Sequence, residues 1–256
     1  MDESKKIVLW ILMGMVVLGG FWMLAKTTET RLGVRTVDQR VVQYGPVARA
    51  RLAPGFQKAG VAYPPAEVIL VGLKQEKRLE VWARLPEVPA KAANSAKAAK
   101  KAPPAPRYAK VAEYPVLAAS GGPGPKLREG DCQVPEGFYG IELLNPNSRY
   151  HLALRVNYPS AEDRAQAQID GRDLKTLGGD IMIHGRNCSI GCLAMGDPAS
   201  EELFVLAADT GLPNLRVILS PVDFRTAALP EAVAAATPAW MKTRYEKIRA
   251  GLLRLK

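Results

Sequence analysis

Nineteen consecutive residues near the start of the chain, Ile7 to Ala25, carry no charge, and no other feature of the sequence restricts its folding more. As a helix rising about 1.5 Å per residue they reach about 28 Å, close to the thickness of a bilayer core. A secretory apolar region is shorter, about 7 to 15 residues, and no small-x-small cleavage site stands clearly after this one. Neither a cleaved signal peptide nor a buried core helix fits as well, so residues 1–26 are read as a cytoplasmic tip and an uncleaved transmembrane signal anchor. Lys5 and Lys6 would keep the amino terminus in the cytoplasm, whereas Lys26, Arg31, Arg35 and Arg40 pull the other way. The expected orientation, with the body outside, rests on the short amino-terminal tail and on the chemistry of the segment 181–192.

The other 230 residues divide by composition. Residues 27–59 show no strong periodicity and read as a basic stem. A catalytic-sized body follows over 60–228, opening with a β-hairpin, Val68 to Leu73 and Arg78 to Arg84, joined by the charged turn Lys74 to Lys77. Residues 86–107 are almost only Ala, Lys and Pro, a composition that buries too little apolar area to offset its ordering entropy, so a mobile segment is expected there. From Lys110 onward short apolar runs alternate with Gly and Pro, which predicts strands. "DIMIHG" is one such strand, ending at His184, and "NLRVILSP" another. An Asp-Pro start and apolar residues at Leu203, Leu206 and Ala207 predict a helix after Asp197. The end of the chain, 229–256, reads as an amphipathic helix with a basic face. Together these predict a mainly β body, sandwich or barrel-like, with a few helices.

The formal net charge is +10, which favours an anionic partner. The positive residues are scattered, without zinc-finger pairs, an RNP-type aromatic motif or a base-reading helix, so nucleic acid is not expected as a partner.

The segment "IMIHGRNCSIGC" holds His184, Cys188 and Cys192. A cysteine attacks as thiolate, so it needs a base or a positive environment, and the oxyanion formed at a carbonyl needs N–H donors. Cys192 is the candidate nucleophile. His184, at a strand end, is the candidate base, and Gly191 allows the neighbouring amides to turn towards a substrate oxygen. The chain has one other histidine, His151, and the alternation of "RYHLALRV" accounts for it as a structural residue. A zinc set of His184, Cys188, Cys192 and Cys132 would have its two close cysteines separated by three residues on a Gly-rich loop and its fourth ligand, Cys132, 52 residues upstream of His184. No metal and no cofactor is expected. Outside the cytoplasm cysteines tend to pair, and three leave one over; if Cys192 must stay free, Cys132 and Cys188 are the expected disulfide.

"IMIHGRNCSIGCLAMGD", with "SGGPGPKLREGDCQVPEGFYGI" upstream and "NPNSRYHLALRVNYPSAEDR" between, resembles the L,D-transpeptidase catalytic domain family (YkuD-type fold), in particular its murein branch. The resemblance runs over roughly residues 60 to 225. It implies a cysteine nucleophile at Cys192, a histidine base at His184, and Gly185 orienting that histidine through its backbone. It also implies that Ser189 shapes the loop and that amides around Gly191 and Cys192 form the oxyanion hole. The implied substrates are peptidoglycan stem peptides, and in the hydrolytic members wall-linked lipoprotein, handled from the inner membrane. Two departures stand out: Ile190 occupies the place of a second histidine, and Ala194 replaces a basic or amide residue after the nucleophile. The competing function classes are a non-catalytic wall-binding protein on the same fold and a membrane-anchored metal or redox module.

Overall fold

The computed structural model describes residues 33–87 and 105–255. The proposed membrane span and most of the Ala/Lys/Pro segment lie outside these residues. Among the described residues no helix is long and apolar enough to cross a membrane.

The first helix, α1, covers Val37–Ala59. Thr36 and Gln39 form a reciprocal capping box at its start, and Gly60 closes it in the left-handed conformation. This corrects the reading of a basic stem. Gly45, Ala48, Leu52 and Phe56 make a buried stripe at helical spacing, but Pro46 and Pro54 interrupt the pattern in the sequence. Burying side chains such as Leu52 and Phe56 stabilises by about 1.5–3 kcal/mol each, which offsets the hydrogen bonds that the prolines remove.

The hairpin forms with the predicted bounds, β1 at Val68–Leu73 and β2 at Arg78–Arg84. The other strands are β3 (Tyr108–Pro115), β4 (Gly137–Ser148), β5 (His151–Val156), β6 (Met182–His184), β7 (Leu193–Ala194) and β8 (Leu215–Ser220). They lie in the order β3-β2-β1-β8-β4-β5-β6-β7. The sheet is mixed: β1 runs parallel to β8 and β6 to β7, and the other pairs are antiparallel. β4 is the hinge of the arrangement. Its first residues, Gly137 to Gly140, pair with β8, and from Ile141 onward it pairs with β5.

The expectation of a mainly β body with few helices needs correction. Besides α1 there are α2 (Ala161–Ile169), α3 (Asp197–Thr210), α4 (Glu231–Ala236) and α5 (Met241–Leu253). Helix α2 is capped by a Ser160–Asp163 box but buries only Asp163 and Ala167, so it carries no apolar stripe to read. The terminal segment is two helices, and α5 belongs to the body.

Two apolar clusters sandwich β1, which is why its side chains are buried on both faces. Val68 and Leu70 join Leu52 and Phe56 of α1 and Leu203, Phe204 and Leu206 of α3. Ile69, Val71 and Leu73 join Met241, Tyr245, Ile248 and Leu252 of α5. Polar ties fasten the helices. Arg49 of α1 makes a two-pronged bond to Asp209 of α3, both at 2.7 Å. Buried Glu136, just before β4, accepts from Tyr245 Oη of α5 at 2.6 Å, and from Lys74 Nζ of the β1–β2 turn at 3.0 Å.

Candidate active site

Two very short strands at the end of the sheet frame the candidate site: His184 ends β6 and Cys192 immediately precedes β7. In the parallel β6–β7 pair Ile183 faces Leu193 and His184 faces Ala194. Cys192 is bonded to Met182 of β6, two residues from His184, which brings the thiol to the strand that ends in the histidine. Cys192 is half-buried. Its Sγ accepts from the Met182 N–H at 3.4 Å and donates to the Asp180 carbonyl at 3.6 Å. Burial pushes the Cys192 thiol up, beyond what the Met182 amide and Lys126 do to lower it.

His184 is 2% exposed. Its Nδ1 lies 2.7 Å from the Gly185 carbonyl oxygen, which can only accept, so Nδ1 carries the proton and Nε2 is the free base. Burial holds its pKa below the ordinary histidine value, against the raising effect of that carbonyl. The Tyr150 ring lies 4.8 Å from the imidazole, centre to centre.

Gly185 has no room for a side chain. A Cβ there would stand 2.7 Å from Asp197 Oδ1 and 2.8 Å from both His151 Cβ and the Tyr150 carbonyl oxygen. The surrounding backbone is tied on both sides: Gly185 N–H to Leu152 O (3.1 Å), Met195 N–H to His184 O (2.8 Å) and Arg186 N–H to Asp197 Oδ1 (2.8 Å). Arg186 (φ 61°) and Asp180 (φ 52°) adopt left-handed backbone, a costly conformation retained where the surroundings impose it.

The loop between the strands carries the remaining candidates. Ser189 Oγ accepts from the Cys192 N–H at 3.0 Å. Gly191, at φ 82°, gives its N–H to Ser120 Oγ. Ser120 heads the segment "SGGPGPKLREGD" that shares in the resemblance, but no role was read for it there, and only the fold brings it to this loop.

His151 and Cys132 have partners of their own. His151 packs behind Gly185, with Nε2 3.0 Å from Glu201 Oε1 and its ring edge-on to Tyr44 at 5.1 Å. The expected Cys132–Cys188 disulfide is not formed: all three cysteines are free, and Cys132 Sγ is turned to the Gly130 carbonyl at 3.6 Å. Left-handed backbone at Cys132 (φ 55°) aims it there. Among the described residues no group of three His, Cys, Asp or Glu side chains is gathered for a metal ion, so the zinc set is not assembled. No His184–Cys192 hydrogen bond is present among the described residues. The arrangement is a neutral thiol beside a neutral imidazole whose tautomer is fixed, suited to general-base activation of the sulfur.

No protein-family profile matches the chain. A stretch of 120 residues, 45% of the chain, is 38% identical to the Escherichia coli K12 protein named "Putative L,D-transpeptidase YafK". The Escherichia coli O157:H7 protein of the same name matches equally, at 38%. The chain spans about half the length of these relatives, 46% of each. Among solved structures, the helical cell shape determining protein Pgp2 from Campylobacter jejuni is 22% identical with a TM-score of 0.42, over 61% of this chain and 48% of that one. Bd1075 of Bdellovibrio bacteriovorus is 18% identical with a TM-score of 0.41, over 73% and 55%. The resemblance to the L,D-transpeptidase family read from the sequence is borne out by the YafK matches.

Proposed function

We propose that the chain is a peptidoglycan-modifying cysteine enzyme that acts on stem peptides through a thioester at Cys192. The observation that carries this reading is the bond from Met182 of β6 to Cys192, just ahead of β7, which brings the thiol to the strand ending in His184, whose Nε2 is left free by the Gly185 carbonyl. His184 takes the thiol proton as sulfur attacks the peptide carbonyl, and returns it to the departing amine. The 38% identity to a protein named as an L,D-transpeptidase supports the stem peptide as the acyl donor. The net charge of +10 suits an anionic wall polymer. In this reading residues 7–25 hold the enzyme at the inner membrane with its catalytic body in the periplasm.

The thioester has two fates. An amine resolves it to a cross-link, which is L,D-transpeptidation, and water resolves it to a stem peptide with a free carboxylate; where the amine expelled in forming the thioester belongs to a lipoprotein, that lipoprotein is released in the first step. Incubation with purified sacculi, followed by identification of the muropeptides, reads both outcomes in one experiment. The protein is expected to change the muropeptide profile and Cys192→Ala to leave it as in the untreated wall. Identical profiles for the two proteins would overturn the assignment.

A further inference from the structure

Ser120 is brought to the site by strand register. An antiparallel bridge joins Ala118 to Ala194, with Leu117 N–H donating to Ala194 O at 2.8 Å and Ala194 N–H to Ala118 O at 2.9 Å. The segment ahead of Ser120 therefore lies along β7 on the side away from β6. In an antiparallel pair a step forward on one strand meets a step back on the other, so this register carries Ser120 to the position opposite Cys192. β7 is thus flanked by His184 on one neighbour and Ser120 on the other. The bonds agree: Ser120 Oγ accepts from the Gly191 N–H and donates to the Cys132 carbonyl at 2.8 Å.

With Ser189 on the Cys192 amide, both N–H groups beside the nucleophile hold a serine oxygen. These are the positions that a substrate's carbonyl oxygen needs as it becomes an anion. Ser189 belongs to the same turn, three residues from Cys192, whereas Ser120 comes from a separate segment and can move without opening that turn.

We propose that Ser120 is an oxyanion-site residue whose hydroxyl changes from acceptor to donor as the substrate's carbonyl oxygen arrives; this rests on the acyl-transfer reading above. An oxyanion offers only lone pairs, so it takes the Gly191 N–H that Ser120 occupies at rest. The hydroxyl, able both to donate and to accept, turns its hydrogen from the Cys132 carbonyl to the new oxygen. In that step sulfur bonds to the carbonyl carbon, the carbonyl π pair moves onto oxygen, and the thiol proton goes to His184 Nε2. Collapse breaks the bond to the leaving group, which takes that proton. No atom of Ser120 is transferred.

Two reagents separate this role from a structural one. Acylation of Cys192 by p-nitrophenyl acetate passes through an oxyanion, and alkylation by iodoacetamide does not; peptide mapping follows both on the full-length protein. Ser120→Ala is expected to slow acylation on the order of 10²-fold and to leave alkylation unchanged. Ser120→Thr, which keeps the hydroxyl, is expected to restore acylation, and thermal unfolding confirms that both variants fold. Equal slowing of the two reagents in Ser120→Ala, or acylation at the wild-type rate, would overturn the proposal. A wild-type protein that is alkylated but never acylated would instead overturn the acyl-transfer reading, and the role of Ser120 with it.

Discussion

Cys192 and His184 are both uncharged at rest, because burial raises the thiol and lowers the imidazole. The pH dependence follows from those signs. Only the neutral imidazole can accept the thiol proton, so acylation should rise through an inflection below the ordinary histidine value of about 6.5 and then stay level through neutrality. Alkylation by iodoacetamide, which needs the thiolate, should keep rising past about 8.5. An alkylation profile that levels off below pH 7 would reveal a preformed thiolate–imidazolium pair and exclude this account. Substitutions test the same residues. Cys192→Ala should abolish turnover, and His184→Ala should cost on the order of 10²-fold in kcat, the scale of a lost general base. His151→Ala, which removes a ring nitrogen engaged by Glu201, should cost less than His184→Ala; the reverse order would make His151 the base. Cys192 and His184 were legible as a candidate nucleophile and base because "HGRNCSIGC" packs their chemistry into nine residues. Ser120 was not, since what places it is a pairing across 76 positions, from Ala118 to Ala194, and no local pattern encodes such a distance.

At the scale of elements, the hairpin β1–β2 was legible to the residue because its apolar runs and charged turn are local signals. Helix α1 was hidden by its two prolines, and α2 by its lack of an apolar face. The stripe of α1 makes a testable claim. Phe56 is 2% exposed between α1 and the sheet, so Phe56→Ala should cost about 3–5 kcal/mol in denaturant unfolding, the usual range for emptying such a site. A loss below about 1 kcal/mol would mean that α1 is not part of the folding unit. A second element-scale prediction concerns the link from β2 to β3. These strands are antiparallel neighbours, and the Leu85 N–H donates to the Arg107 carbonyl at 2.9 Å just where the link begins and ends. The connection need only turn the chain around. Replacing residues 88–104 by a short Gly/Ser turn should preserve cooperative unfolding, since each halving of loop length changes closure entropy by only about 0.6 kcal/mol. An unfolded product would show that the segment packs.

Across the whole molecule, distant parts converge on Glu136, which binds the β1–β2 turn through Lys74 and the last helix through Tyr245. Burial lowers the Lys74 pKa, the Glu136 carboxylate opposing that effect. Glu136→Ala would strand the lysine in the interior, and a loss of about 3–5 kcal/mol in denaturant unfolding is expected, the range for breaking a buried ion pair. A variant as stable as the wild type would show that Lys74 finds enough partners in the Gly124, Gln133 and Val134 oxygens. Under the proposed membrane anchoring, the docking of α1 also bears on how far the body could reach. Had residues 27–59 been a free stem, the body could have ranged on a long tether. With α1 fastened to α3 by Arg49 and Asp209, only residues 26–36 stand between the apolar run and the start of α1. Eleven residues span at most about 40 Å when fully stretched. An enzyme so held would patrol the layer of wall nearest the membrane, and strands farther out would be beyond its reach.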